Sequence, residues 1–600
     1  MNMYNQKNIR NFAIIAHVDH GKSTLSDRFI EMTNGIQSRE MTNCVLDNMD
    51  LEKEKGITIK ARCIRLEYEY NKENYILNLV DTPGHVDFQY EVEKSLSTVG
   101  LVILLIDATQ GVASQTLSNF FLATKNPNIK IIIAINKIDS INSNVEMCKK
   151  QIETILKLNL DEIKIFYISA RAGTGVKELL EKGIIESNKY PEGNIKNPLQ
   201  TLIFDSWYDN YLGIIALIYI NEGVLQKKDL LITKFNSVKI EANKFGYMKD
   251  KMVEVEELKA GEIGYLVTNI KEPNVIRIGD TLINSKDNLD ALPGFKASVP
   301  VVFCSLYLDD PDKFYDAQKN LEKLHLNDSS FFFEPERSTI LGMGFKCGFL
   351  GLLHMEIILE RLLREYGLEF IVTIPNVTYR IKKRGDENYT YINNAIDLPT
   401  QDKLEVTEEQ IVLMSLLTTE EYIGTVKNLC FSKRGIYEDE IYMDGKILLT
   451  FHMPLGEIIL DFQDQIKSLT SGYSSYGYEF IGYQPSSLVR LDFIINDQLL
   501  EELSCIIHKS QGEKMARQRC IKLKENLPRG QVEIKIQGSI NGKIIAGERI
   551  APYRKDVIAK CYGGDVSRKN KLLDKQKKGK KNLNREITIP PNIFVKILKF

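Results

Sequence analysis

Five short runs of apolar, β-forming residues punctuate the first third of the chain: residues 11–16 (NFAIIA), 75–80 (YILNLV), 101–106 (LVILLI), 129–135 (IKIIIAI) and 163–168 (IKIFYI). Such runs suit strands buried on both faces of a parallel sheet. Helix-like segments at 23–31 and 114–124 lie between them. Strands alternating with helices predict an α/β domain, which ends near the polar, Pro- and Gly-bearing stretch 188–198. From residue 199 to about 284 the pattern changes to short strands and turns, such as 214–220 and 229–234, which read as a β-barrel. Leu292-Pro293-Gly294 marks the next boundary. Residues 297–372 mix strands with helices at 311–324 and 350–366, and 404–483 read as another α+β unit. Between these units, the polar stretch 382–394 predicts an exposed loop or hairpin. From Pro485 onward, strand-like runs give way to a strongly basic segment.

Composition narrows the classes. A chain of 600 residues is too long for one hydrophobic core, so several domains are expected. Its net charge of -2 excludes a polycation, and any nucleic-acid contact must come from a local basic cluster. The nine cysteines form no C-x-x-C pair, which predicts free thiols in a reducing compartment, with no disulfide frame and no zinc site. No run of about 18 apolar residues exists, so no membrane-spanning helix is expected. The short polar start leaves no room for a targeting peptide, and the expected location is the cytoplasm.

Chemistry concentrates near the N-terminus. Ala16-His17-Val18-Asp19-His20-Gly21-Lys22-Ser23, followed by Thr24, has the spacing of a P-loop, with Ala16 in place of the first glycine. It follows a strand and opens a helix, the context that gives the motif meaning. Backbone N–H groups from Asp19 to Thr24 would cradle phosphate oxygens, Lys22 would neutralise the β- and γ-phosphates, and the Ser23 hydroxyl would bind Mg²⁺. Asp81-Thr82-Pro83-Gly84 ends the second strand, where Asp81 can hold Mg²⁺ through water and the Gly84 amide can meet the γ-phosphate. Asn136-Lys137-Ile138-Asp139 follows another strand. The Asp139 carboxylate can accept from both N1–H and the exocyclic amine of guanine, a donor pair that adenine lacks. Ser169-Ala170-Arg171 follows the last strand, where a backbone amide can reach the guanine O6. Each short motif alone fits an ordinary polar loop, but their common order and their positions after strands point to a guanine-nucleotide site. Thr58, in Lys55-Gly56-Ile57-Thr58, lies where a switch segment would place a second hydroxyl on Mg²⁺. His85 follows Gly84, where related switches carry a glutamine that positions the attacking water. Imidazole can do that work near neutral pH. Val18 and Ile57 could form an apolar gate in front of it.

The combination AHVDHGKST, EKGIT, DTPGH, NKID and SAR resembles the GTPase domain of the ribosomal translation factors, and the histidine after DTPG is specific to that group. Their second domain carries a turn G-x-L-x-x-G-D, here Gly223 to Asp229 with Lys228 in place of a glycine. Leu326-Asn327-Asp328, residues 342–356 (GMGFKCGFLGLLHME) and 559–565 (AKCYGGD) with the basic run after it resemble the LepA, or elongation factor four, family over essentially the whole chain. That resemblance implies a multidomain α/β and β architecture. Its parts are a P-loop GTPase domain (1–190), a translation-factor β-barrel (191–290), two ferredoxin-like α+β domains (291–375 and 400–483) and a LepA-specific C-terminal domain (484–600). It also implies the absence of the domain by which elongation factor G reaches the decoding centre. Thr470-Ser471-Gly472-Tyr473 lacks the family's usual arginine before Gly-Tyr, and His508-Lys509-Ser510 and Pro528-Arg529-Gly530 also depart from the pattern.

Residues 568–581 (RKNKLLDKQKKGKK) carry one acid, Asp574. By itself such a run fits a solvated helix face, but lysine-rich surfaces also bind phosphate backbones through counterion release. The resemblance implies a ribosomal partner, with this domain directed towards transfer RNA, and the same run could touch anionic lipid heads. Nothing in the sequence suggests more than a monomer. Three functions fit: a ribosome-activated GTPase that moves transfer RNA and messenger back by one codon, a GTPase of ribosomal subunit assembly, and a nucleotide-gated ribosome-binding protein.

Overall fold

The computed structural model describes residues 6–33, 49–160, 163–187, 193–209, 211–272, 275–295, 298–308, 310–338, 341–443, 446–459, 461–530, 532–553, 557–558 and 566–581. The block 559–565 therefore lies outside the described residues.

The apolar runs of the first third pair into one six-stranded sheet. Its strands are β1 (Ile9–Ala16), β2 (Arg62–Tyr70), β3 (Glu73–Asp81), β4 (Leu101–Asp107), β5 (Lys130–Asn136) and β6 (Ile165–Tyr167). The spatial order is β2-β3-β1-β4-β5-β6, parallel throughout except for the antiparallel edge strand β2. Helices α1 (Lys22–Met32), α2 (Asp50–Lys55), α3 (Gln89–Leu96), α4 (Ser114–Thr124), α5 (Val145–Ile155) and α6 (Val176–Glu186) complete the unit. Successive residues of β1 feed different cores, as the period of a strand requires. Ala13 and Ile15 pack with residues of α3, α4 and α5, while Phe12 and Ile14 pack with α1 and α6. The sheet is thus covered on both faces, which is why its strands read as unbroken apolar runs. β1 lies between β3 and β4, so the loop leaving it opens at the switch point where such sheets bind ligands.

An eight-stranded antiparallel sheet follows, including β7 (Gln200–Asp209) and β8 (Gly213–Glu222). Ile203, Ile218, Leu231, Phe245, Leu266 and Leu282 from six of its strands share one core, as a barrel requires. Lys228 has φ 72°, so the turn adopts the left-handed backbone that glycine favours.

Residues 302–372 form a β-α-β-β-α-β unit with α7 (Phe314–Asn327) and α8 (Leu352–Tyr366) against four antiparallel strands. The strand order, Phe332–Ser338, Gly342–Phe349, Val302–Leu308, Phe370–Val372, is ferredoxin-like. The segment Leu404–Thr419 to Ser475–Pro485 repeats that order, extended by a hairpin of Tyr379–Lys383 and Thr390–Ile392. Last comes a four-stranded antiparallel sheet, ordered Gln498–His508, Leu488–Ile495, Ile534–Ile540, Lys543–Ile550, with helix Gly512–Asn526 on it. Its core also takes in Tyr307, Ile371 and Ile374 of the first ferredoxin-like unit, so the two are packed together. The basic run forms the helix Val566–Lys581. Among the described residues, no helix is long and apolar enough to cross a membrane.

Candidate functional site

The loop after β1 turns into α1 through Gly21, whose φ is 93°. A Cβ there would lie 2.5 Å from Asn136 Nδ2, so conformation and space both demand glycine. Asp19, also in the left-handed region at φ 65°, is exposed at the tip of the loop. The imidazole of His20 is fully buried, and burial lowers its pKa to about 3. His17 stacks edge-on with it at 5.1 Å and is lowered by burial to about 4. Both rings are therefore neutral at physiological pH and act as packing, so the positive charge at this loop is that of Lys22. Ser23 is half-buried and Thr24 exposed on the first turn of α1.

Lys22, Thr58 and Asp81, far apart in sequence, converge. The Lys22 ammonium donates to Thr58 Oγ1 at 2.9 Å and to the Thr82 carbonyl, and it lies 3.6 Å from Asp81 Oδ1. Asp81 is fully buried and also accepts from Ser26 Oγ at 3.4 Å. Thr82 Oγ1 donates to the Ile14 carbonyl at 2.7 Å, which fixes the end of β3 to β1. A Cβ on Gly84 would stand 3.2 Å from the Ala16 carbonyl and 3.4 Å from Val18 N, so this turn rests directly against the phosphate loop. The Ser23 hydroxyl, the Thr58 hydroxyl and the Asp81 carboxylate are an all-oxygen donor set. That set fits a hard cation which takes its remaining ligands from phosphate and water.

The loops after β5 and β6 are tied to the loop after β1 by one amide. Asn136 Nδ2 donates to the His20 carbonyl at 2.9 Å, and Asn136 Oδ1 accepts from Ala170 N–H at 2.9 Å. Lys137 reaches back over the loop, donating to the Asp19 carbonyl at 2.7 Å and pairing with Asp107 at 2.7 Å. Asp139 is exposed, and a hydrogen bond from the buried Ser169 holds its carboxyl below the usual range. An ionised, steered carboxylate is what recognition of two N–H donors needs.

His85 lines a cavity of about 1410 Å³, whose walls also include Val18, Ile57, Glu356, Tyr476 and Tyr478. Its Nδ1 accepts from Asp87 N–H at 3.2 Å, which leaves the proton of the neutral ring on Nε2. Asp87 meanwhile caps α8: its Oδ2 accepts from Leu353 N–H at 3.1 Å, and a Cβ on Gly351 would run into the carboxylate. Ile57 is not isolated beside His85. It packs with Leu51, Ile59, Phe88, Leu353 and Ile357 in one apolar cluster that joins the Thr58 segment, the His85 turn and α8. Ion pairs Lys55–Glu356 (3.2 Å) and Glu54–Arg364 (2.8 Å) add to this clasp.

Sequence reasoning missed the residues that carry the clasp. The Leu326-Asn327-Asp328 block was legible only as a family signature. In the structure Asn327 accepts from Lys60 through its carbonyl at 2.8 Å and from Tyr208 N–H through its side chain at 2.8 Å. Asp328 pairs with the fully buried His354 at 3.0 Å, and His354 packs edge-on against Phe88 at 6.0 Å. That pairing holds the Asp328 carboxyl far below its ordinary range despite its burial. A signal was present, since the block 342–356 ends close to His354, but no spacing rule links it to residue 328.

Three family models match the chain: the elongation factor Tu GTP-binding domain over residues 7–187, the elongation factor G C-terminus over 406–493, and the C-terminus of GTP-binding protein LepA over 495–599. Proteins named elongation factor 4 from Acetivibrio thermocellus and Aquifex aeolicus are 46% and 44% identical, each alignment covering 99% of this chain and 99% of the relative. A crystal structure of a protein from Thermus thermophilus, 17% identical, superposes with a TM-score of 0.56 over 80% of this chain and 97% of its own, which bears on the fold alone. The loops after β1, β5 and β6 and the histidine turn thus sit in a chain that aligns end to end with such relatives. It binds and hydrolyses GTP as a translation factor, and it belongs to the elongation factor 4, or LepA, family.

Proposed function

We propose that this protein uses GTP to remodel translating ribosomes, moving transfer RNAs and messenger back by one codon on ribosomes that have stalled or translocated wrongly. The observation that carries the reading is the position of His85, in the wall of the cavity shared by the GTPase domain and both ferredoxin-like units, with its Nδ1 held by Asp87 N–H. A partner filling that cavity reaches the histidine, so turnover responds to the ribosome. The reading takes the units as 1–190, 191–290, 291–375, 400–483 and 484–600.

In this reading Lys22 neutralises the β- and γ-phosphates, and the N–H groups from Asp19 to Thr24 and of Gly84 hold their oxygens. Ser23, Thr58 and, through water, Asp81 would hold Mg²⁺, which supplies positive charge at the transferring phosphate. Asp139 selects guanine, with Lys137 lining the base site and the Ser169-Ala170 backbone meeting O6. Asn136 keeps these loops and the phosphate loop in one register. His85 orients the attacking water through Nε2 once it swings past Val18 and Ile57. The γ-phosphate orders the Thr58 segment, and hydrolysis releases it. The basic helix contacts transfer RNA, the protein acts as a monomer in the cytoplasm, and any contact with anionic membranes is peripheral.

The test is a primer-extension map of messenger position on post-translocation ribosomes with purified protein and GTP, with a non-hydrolysable analogue as control. A one-codon backward shift supports the proposal. Unshifted messenger with ribosome-stimulated turnover intact overturns it in favour of a role in subunit assembly.

A further inference from the structure

One face of the second ferredoxin-like sheet carries an array that the GTPase chemistry does not use. Thr390–Ile392, Tyr379–Lys383, Leu404–Thr419 and Ser475–Pro485 lie side by side in that order. Arg380 is directly opposite both Tyr391 and Glu408, and Gln410 is opposite Tyr483. Side chains directly opposite share a face, and residues two apart along a strand return to it. The contacts agree. The Arg380 guanidinium lies 4.4 Å from the Tyr389 ring centre and 4.8 Å from that of Tyr483. Tyr483 meets Tyr391 at 5.8 Å and Phe480 at 5.6 Å, both edge-on. Glu408 accepts from Arg380, and Gln410 donates to the Tyr483 hydroxyl at 3.0 Å, so both central groups are held in place. The opposite face is sealed: Tyr379, Ile381 and Ile392 are buried in the core.

The outer face is open. Tyr391 is 60% exposed, Phe480 52% and Tyr389 41%. Four aromatic rings around a guanidinium exceed what a solvated sheet face needs, and no described part of the chain covers them. Edge-on rings cannot pack flat on one another, so flat surfaces stay available. The strand and its turn carry Arg380, Lys382, Lys383 and Arg384 in five consecutive residues; Arg380 is paired with Glu408 and Lys382 with Glu405, so the positive charge left beside the rings is that of Lys383 and Arg384. Flat aromatic and guanidinium surfaces, polar groups at their margin and a basic border are the chemistry that receives unstacked nucleobases.

We propose that this face binds single-stranded RNA, stacking unpaired bases on Tyr391, Phe480 and Tyr483 around Arg380, with Lys383 and Arg384 on the phosphates. It is separate from the nucleotide site and from the basic C-terminal helix. The proposal rests on the ribosome-directed reading only for where the RNA comes from, because the chemistry can be tested without a ribosome.

The probe is a fluorescent RNA hairpin with an eight-nucleotide unpaired loop, with a fully paired RNA duplex as control. Binding to the full chain is followed by anisotropy, in moderately high salt to suppress the basic helix. The wild type should bind the hairpin and not the duplex. Tyr391→Ala and Phe480→Ala should each weaken hairpin binding about tenfold, as loss of one stacked base does. Tyr391→Leu, which keeps apolar bulk but loses the flat ring, should weaken it nearly as much, and Tyr391→Trp should restore it. Both side chains are exposed, so unchanged thermal midpoints should accompany these losses. Hairpin binding that is equal in all variants overturns the proposal. So does weakened ribosome binding by the variants with hairpin binding unchanged, which would assign the face to a protein. Ribosome-stimulated GTP turnover of the same variants is scored separately, so failure here and failure of the GTPase reading remain distinguishable.

Discussion

Lys22, Thr58 and Asp81 are 8%, 5% and 0% exposed, while the rings of the second ferredoxin-like sheet stand largely in solvent. The two regions face different partners. Around the nucleotide, backbone must approach phosphate, so chain direction, glycine placement and residue spacing are fixed to the ångström. On the sheet face, the surface needs only flat groups in rough proximity, supplied by strands more than 70 residues apart, as Tyr483 and Gln410 illustrate. Constraint on the backbone leaves a short sequence signature, and constraint on a surface does not.

The contrast can be broken by mutation, most severely at the nucleotide end. His85→Ala should cut ribosome-stimulated turnover by roughly a hundredfold to ten-thousandfold while GTP affinity stays unchanged. Single-turnover kinetics beside nucleotide titration separate the two, and surviving turnover would remove His85 from the mechanism. Gly21→Ala strains a left-handed position against Asn136 and should weaken GTP binding roughly a hundredfold, read by mant-GTP fluorescence. Normal affinity there would mean that the loop has slack it does not show. Asp87→Ala removes the cap of α8, worth about 1 kcal/mol, and should speed amide exchange at Leu353 and lower stimulated turnover by up to about tenfold. Unaltered exchange would show that the cap is not what holds the helix start.

Two smaller effects sharpen the comparison further. His17 and His20 have folded pKa values of about 4 and about 3, below the ordinary 6.5. The unfolded chain therefore binds more protons in that window, and stability falls as pH drops from about 6.5 towards 4. The thermal midpoint should decline across this window, and His17→Gln should flatten the decline; an unchanged slope would place the loss elsewhere. At the other end of the chain, RNA binding through 568–581 should weaken linearly on a log–log salt plot, with a slope of about -0.7 to -0.9 per phosphate neutralised. A flat response would leave the run as a solvated helix face.

Much of the GTPase sheet could be read from the sequence, because strands buried on both faces appear as apolar runs. The edge strand β2 was not among the five runs. Its sequence RCIRLEYEY alternates, as an antiparallel strand at the rim of the sheet does, and alternation with charge resembles surface loop. The motifs also pick out the loops that follow β1, β5 and β6. They could not show that Asn136 spends both ends of its amide joining those loops, nor that Asp328 finds His354 across 26 residues. Such pairings depend on where the fold places helix α8, and no local periodicity encodes that.

Helix α8 itself acts as a beam. Its 15 residues span about 22 Å, with Asp87 on its first turn and Arg364 near its far end gripped by Glu54. One grip belongs to the turn bearing His85 and the other to the helix leading into Thr58. If a single grip moves, the beam pivots about the one that stays, and if both move together it slides as a whole. The two motions would push the sheet behind it differently, so concerted and separate movement of the two loops leave different traces in the rest of the molecule.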